Sequence, residues 1–221
     1  MRRPTIAIDG PAGSGKTTVA RLVAQRLGLV CVETGAMYRA VAWQARTLGI
    51  PADDARALAD MTGRMDLGVE SAPDGRTKVL VADADISAEL RTPELEQLAS
   101  QVSTHAEVRR KLVELQRRIA QAGGVVMEGR DIQTVVLPDA DVKVFLTASV
   151  DERACRRMKD LEAAGEHASL AEVRRQIEAR DRRDETRAAS PLRAAPDAVT
   201  IDTDNLSVEQ VVGRIIALVQ R

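Results

Sequence analysis

One segment constrains this chain more than any other: Thr5 to Gly28, TIAIDGPAGSGKTTVARLVAQRLG. An apolar, β-branched run stops at a glycine-rich loop, and a helical apolar period starts directly after Lys16-Thr17-Thr18. Gly10-Pro11-Ala12-Gly13-Ser14-Gly15-Lys16-Thr17 matches G-x-x-x-x-G-K-[ST] in full, in the strand–loop–helix setting where that pattern binds phosphate. Glycines let consecutive N–H groups turn inward as a nest for phosphate oxygens. A helix opening near Gly15 adds its unpaired N–H groups and the positive end of its dipole. Lys16 is then placed for the β- and γ-phosphates, and the Thr17 hydroxyl for Mg²⁺. The expected ligand is a nucleoside triphosphate held by Gly10 to Thr18. The plainer reading, a βα turn with a surface lysine, leaves the full match unexplained.

Other β-branched runs follow at 29–33, 124–128, 142–148 and 198–202, so that with 5–9 there are five. Their near-continuous apolar character suits strands buried on both faces of a parallel sheet. Helical patterns at 15–27, 105–122, 151–164, 169–186 and 207–220 alternate with them, which implies an α/β fold with right-handed crossovers. The rhythm breaks over 34–123. That stretch carries a helix after Gly35, a short helix near 53–63, a hairpin over 65–86 turning at Pro73-Asp74-Gly75, and two more helical segments. A second small domain fits there better than a long loop. The expected division is a core of 1–33 and 124–221, with 34–123 inserted.

Composition narrows the function. With 44% hydrophobic and 29% charged residues in 221, the chain reads as one globular unit with an inserted subdomain. A formal net charge of −1 and a single Phe, Tyr and Trp argue against a nucleic-acid partner, which calls for a basic footprint or stacking aromatics. The start MRRPTIAIDG has no apolar signal region, and no run of about 18 apolar residues occurs. A cytosolic chain with no membrane partner is expected. Cys31 and Cys155 lack metal-ligand spacing and read as buried small hydrophobes.

A phosphate loop names a ligand and leaves the reaction open. An N-K-x-D segment and a D-x-x-G switch, which accompany guanine selectivity, are not evident in plausible positions. The chain is also short for most motors. A kinase of a small acceptor leads. ETGAMYRA (33–40) follows the second strand, Arg130 and Asp131 end the third, and Arg180, Asp184 and Arg187 recur at helical spacing. Ligands of such sheets bind at the carboxyl edge. The arginine-rich stretch 151–187 reads as a solvated helical hairpin from its charge alone, or as a mobile anion-binding lid if its arginines face a phosphate site.

These motifs, together with ASQVS, EVRRKLVELQR, EGRDIQTVVLPDADVKVFLTAS, RDRRDETRAASPL and DAVTIDTDNLS in the same order, resemble the bacterial cytidylate kinases over essentially the whole chain. The resemblance implies a three-layer α/β/α P-loop fold with a five-stranded parallel sheet, an enlarged monophosphate-binding insertion at 34–123 and a helical lid near 151–187. It implies transfer of a phosphoryl group from ATP to CMP or dCMP with Mg²⁺, by a chain expected to be monomeric. A kinase of UMP or a metabolite, or a nucleotide-dependent switch, are the alternatives.

Carried over residue by residue, Arg39 and Arg130 would clamp the acceptor phosphate, as planar guanidinium forks suit. Ser100, Arg109 and Asp131 would read the cytosine, with Thr34 nearby. Arg180 and Asp184 would contact the ribose, and Arg187 the acceptor or the transferring phosphoryl. Lys16, Arg130, Arg180 and Arg187 would carry catalysis; Arg153 and Arg157 would belong to the lid, Arg157 touching the donor. Plainer roles stand beside these. Arg109 and Arg117 read equally as surface residues, Ser100 as solvent-facing, Thr34 as a turn residue, and Asp131 as a cap or a partner of Arg130. Asp9 reads as a metal-sphere or a turn-stabilising residue, and His105 and His167 as solvent-facing. Gln133 departs from the resemblance, which has glycine there, and is expected to alter backbone freedom beside the acceptor site.

Overall fold

Ile6 and Ile8 point to one side of the first strand and Ala7 to the other, and both sides are fully buried. That is the burial of a strand at the centre of a sandwich. The computed structural model describes residues 3–72, 74–163 and 165–220. Among them β1 (Thr5–Asp9), β2 (Val30–Glu33), β6 (Val125–Gly129), β7 (Val142–Thr147) and β8 (Val199–Asp202) form one parallel sheet in the order β2-β6-β1-β7-β8. The five expected runs are these five strands, with half of the ends shifted by one residue.

One face of the sheet carries α1 (Lys16–Leu27) and α8 (Val208–Val219), around Ile6, Ile8, Val23, Leu146 and Ile215. The other carries α5 (Ala106–Ala120) and a single π-helical turn, Ile132–Val136, around Ala7, Val32, Met127 and Val113. Aliphatic side chains fill both layers, as the scarcity of aromatics requires. The phosphate loop leaves β1 where the chain order switches from β6 on one side to β7 on the other, the crevice where α/β sheets bind ligands. Gly10 is required there. A Cβ would lie 2.0 Å from the Leu146 carbonyl oxygen of β7.

Between β2 and β6 lie α2 (Thr34–Thr47), α3 (Ala55–Arg64), β3 (Leu67–Ser71), β4 (Thr77–Val81), β5 (Ala84–Asp85), α4 (Pro93–Val102) and α5. Met37, Val41, Leu58, Val79, Leu95 and Leu112 give this stretch a core of its own. The expected hairpin is a three-stranded antiparallel sheet, β3-β4-β5. Its second turn passes through Ala82 and Asp83 at φ 48° and 64°, a two-residue connection normally marked by Asn-Gly or Asp-Gly. Ala-Asp carries no such mark, so the third strand was illegible. Pro73, at the expected first turn, lies outside the described residues.

After β7 come α6 (Val150–Ala163) and α7 (Leu170–Thr186), which pack around Ala154, Leu161, Val173 and Ile177. Ser169 and Glu172 close a capping box at the start of α7, and Ser207 with Gln210 does the same for α8. Cys31 is buried as expected, but Cys155 is exposed, because only one face of α6 meets α7.

Candidate active site

At the phosphate loop, Gly15 adopts a left-handed conformation (φ 85°) as the N-cap of α1, which leaves the first N–H groups of that helix directed at the loop. Lys16 is buried, and its Nζ donates to the Pro11 carbonyl at 2.6 Å and to Ser14 Oγ at 3.3 Å. Burial, with Arg130 nearby, pulls its ammonium well below the ordinary lysine range. A buried cation held only by neutral oxygens is poised for an anion. A cleft of about 940 Å³ opens from the loop, lined by Ala12 to Thr18 and by Arg39, Arg130, Arg157, Arg180 and Arg183. Gly10 and Pro11 do not line it. Their part is to turn the backbone and to hold Lys16.

Thr17 Oγ1 donates to Glu128 Oε1 at 3.0 Å. Glu128 escaped sequence reasoning; its one signal is an acid at the carboxyl end of the strand beside β1. A hydroxyl and a carboxylate at the mouth of a phosphate loop are hard oxygen donors of the kind Mg²⁺ takes. Among the described residues no group of three or more His, Cys, Asp or Glu could hold a metal unaided. An ion here would therefore draw further ligands from phosphate and water, as Mg²⁺ commonly does.

The nine residues expected at the acceptor side, Thr34, Arg39, Ser100, Arg109, Arg130, Asp131, Arg180, Asp184 and Arg187, all line one small chamber. It shares Gly35, Arg39, Ser100, Arg130 and Arg180 with the larger cleft. Five guanidinium groups face two carboxylates, so three positive charges are unbalanced. Arg109 is buried, donates to Asp131 Oδ2 at 2.5 Å and to the Ser103 carbonyl at 3.2 Å, and lies over the Tyr38 ring. It is no surface residue. Arg130 Nε donates to Asp184 Oδ2 at 3.0 Å, with Arg187 on the other carboxylate oxygen at 3.7 Å. Burial raises Asp184, but Arg130, Arg180 and Arg187 override it and hold the carboxyl below its ordinary value. Burial and Arg130 pull Arg180 down to about 10. The Nε atoms of Arg39, Arg109 and Arg180 and Nη2 of Arg187 are buried without partners. This is a site short of one anion.

Ser100 is buried and accepts from Arg183 Nε at 3.2 Å, and Thr34 Oγ1 donates to the Glu128 carbonyl at 2.8 Å. Tyr38 also lines the chamber, with a buried hydroxyl that lacks a partner; it was passed over although it sits inside ETGAMYRA. Asp131 does not pair with Arg130. Its carbonyl receives the N–H groups of Val135 and Val136 at the head of the π-helical turn, and Arg117 donates to the Val135 and Val136 carbonyls at the other end. Asp9 takes the turn-stabilising role, accepting from the N–H groups of Ile132 at 3.0 Å and Gln133 at 2.8 Å.

The arginine-rich stretch divides by face. Arg174 pairs with Asp151 and Glu178 at the surface, as a solvated hairpin would. Arg157 reaches Glu96 on α4 at 2.8 Å, across the cleft. Arg153 is less a lid residue than a buried joint, bonded to the Ala12 and Ala148 carbonyls and to Asp181. His105 is half-buried against the Ala52 carbonyl, not solvent-facing.

A family model described as cytidylate kinase matches residues 6–221. The chain belongs to the cytidylate kinase family. A cytidylate kinase from Symbiobacterium thermophilum (strain DSM 24528 / JCM 14929 / IAM 14863 / T) is 48% identical over 215 residues, covering 97% of this chain and 95% of its own. A bifunctional pantoate ligase/cytidylate kinase from Synechococcus sp. (strain JA-3-3Ab) is 51% identical over 219 residues, covering 98% of this chain. This chain spans 41% of that bifunctional protein's length. A gluconokinase from Sinorhizobium meliloti 1021 is similar in fold alone, with a TM-score of 0.51 at 15% identity, over 100% of this chain and 94% of its own. The P-loop kinase fold and the cytidylate kinase family, both expected from the motifs, are borne out. Gln133, the departure expected to alter backbone freedom beside the acceptor site, stands in the π-helical turn. Gln133 is absent from the described residues with positive φ, and its side chain is buried and hydrogen-bonded.

Proposed function

We propose that the chain transfers the γ-phosphoryl group of ATP to CMP or dCMP, giving ADP and CDP or dCDP. The observation that carries this reading is the chamber with three unbalanced guanidinium charges opening onto the phosphate-loop cleft. A nucleoside monophosphate brings the missing anion, and its phosphate then lies toward Lys16. Phosphoryl transfer depends on positioning and charge neutralisation more than on covalent help. Lys16 holds the β- and γ-phosphates, Arg39 and Arg130 fix the acceptor phosphate, and Arg180 and Arg187 offset charge on the group in flight. Thr17, with Glu128 behind it, would hold Mg²⁺, which would supply charge neutralisation at the donor phosphates.

Base selection falls to Asp131, Arg109 and Ser100. Asp131 is an acceptor for the exocyclic amino group that cytosine has and uracil lacks. With uracil the same carboxylate meets a carbonyl oxygen, an unpaired and repulsive arrangement. Asp184 is a partner for the ribose.

The chamber measures about 50 Å³, far less than a nucleotide pocket, so the acceptor must displace groups to enter. The Arg130–Asp184 pair is the one to exchange, since phosphate takes the guanidinium and ribose the carboxylate. We assign 34–123 the role of monophosphate-binding insertion and 151–187 that of the lid. The bridges Arg157–Glu96 and Arg183–Ser100 join the two across the cleft and favour this assignment. Closure excludes water and suppresses idle ATP hydrolysis. Every side chain named comes from one chain, so a monomer suffices.

An acceptor panel with ATP and Mg²⁺ tests the reading. ADP formation should be stimulated by CMP and dCMP well above UMP. Acceptor-independent ADP formation, or equal stimulation by UMP, would overturn it.

A further inference from the structure

The two sides of the acceptor chamber come from segments far apart in the chain. Arg130 and Asp131 lie between β6 and the π-helical turn; Asp184 and Arg187 lie at the end of α7. One bond between them is the Arg130–Asp184 pair, which the acceptor must break to bind. A second link runs through Gln133, fully buried in the π-helical turn. Its Oε1 accepts from the Ala195 N–H at 3.0 Å, and its Nε2 donates to the Val144 carbonyl of β7 at 3.3 Å. Its own N–H is anchored on Asp9, the last residue before the phosphate loop.

Ala195 lies on the segment that runs from α7 to β8. That segment folds back on the helix: the Leu192 N–H donates to the Asp184 carbonyl at 2.7 Å, and Arg187 Nε donates to the Ser190 carbonyl at 2.8 Å. Hydrogen bonds from Asp9 to Gln133, from Gln133 to Ala195 and from Leu192 to Asp184, joined by the short backbone stretch 192–195, therefore link Asp9 to the backbone that presents Asp184 and Arg187. Apart from Arg187 Nε, none of these bonds uses a side chain assigned to the acceptor.

We propose that Gln133 is a positioning residue: it keeps Arg130–Asp131 and Asp184–Arg187 in register after the acceptor has exchanged the ion pair between them. Its contribution is then felt in the acceptor complex and not on the donor side, where the phosphate loop is held by β1, β7 and Arg153. The assignment rests on CMP being the acceptor.

The test is calorimetric titration of CMP, and separately of ADP, into the wild type and into Gln133→Met, which keeps the volume and removes both side-chain hydrogen bonds. Wild-type protein should bind CMP; failure there overturns the functional reading itself. In Gln133→Met the Kd for CMP should rise about tenfold, the scale of the one lost bond, to Ala195, that reaches the segment after α7, while that for ADP stays within about twofold. Should that variant not fold, Gln133→Gly serves the same comparison. Unchanged CMP affinity, or a parallel loss of CMP and ADP affinity, overturns the role of Gln133 while leaving CMP as acceptor intact.

Discussion

The donor and acceptor halves of this site recognise similar groups, phosphates of nucleotides, by opposite means. The donor half is nine consecutive residues, Gly10 to Thr18, whose work is done by backbone N–H groups, a helix terminus and one lysine. The acceptor half gathers nine residues from α2, α4, α5, the end of β6 and α7, and works through charged side chains. A contiguous backbone site is assembled by local geometry and survives the loss of any side chain. A dispersed guanidinium site is assembled by the fold, and its arginines and carboxylates are each other's counterions until a ligand arrives. Function and stability are therefore separable in the donor half and entangled in the acceptor half.

Replacing Lys16 by Ala is the severest test of the first claim. Its ammonium is the loop's charge placed for the transferring phosphates, so kcat should fall by about 10³-fold or more. Thermal unfolding should stay near wild type, because removing a buried ammonium held by a carbonyl and a hydroxyl leaves no opposite charge stranded. Retained turnover, measured as CMP-stimulated ADP release, would remove Lys16 from the chemistry. A large fall in Tm would deny the separability.

Asp131→Ala tests the second claim. The ratio of kcat/KM for CMP over UMP should fall by roughly 10²-fold, since the carboxylate that distinguishes an amino group from a carbonyl is gone. Stability should fall with it, because Arg109 would be left buried beside Tyr38 without its counterion. A changed ratio at unchanged Tm would mean that the acceptor half is no more entangled than the donor half. An unchanged ratio would take Asp131 out of base recognition.

The same contrast explains what could be read from the chain beforehand. A phosphate loop is legible because backbone nests need glycines at fixed local offsets, and the five strands are legible because burial on both faces leaves unbroken apolar runs. The acceptor residues were named through the motifs they share with cytidylate kinases; charge pattern alone left Arg109 as readily on the surface. Nothing local says that Arg109 and Asp131, 22 positions apart, are partners, or that Arg157 meets Glu96. Those pairings follow from which helix faces which strand end. Glu128, Tyr38 and the side chain of Gln133 went unread for the same reason: each acquires its meaning from a partner that only the tertiary structure supplies.

Asp9 is the joint between the halves, and its titration gives the subtlest of these tests. It ends β1, just before the phosphate loop, and holds the π-helical turn that follows Asp131. No cation pairs with it among its hydrogen bonds. Burial, opposed by two backbone N–H groups, pushes its carboxyl from 3.8 up to about 6, whereas Asp184 in the arginine cluster lies low. For an acid raised on folding, the native state holds a proton that the unfolded chain has released between the two values. Stability from this group is therefore fullest below about 4 and declines as pH rises through about 6, by about 2 kcal/mol between pH 4 and pH 7. Asp9→Asn cannot titrate. Urea unfolding of both proteins at pH 4 and pH 7 should show the wild type losing about 2 kcal/mol relative to the variant over that interval. A difference of the opposite sign would mean that Asp9 is stabilised as a carboxylate, as Asp184 is, and the two halves would not differ in how they hold buried charge.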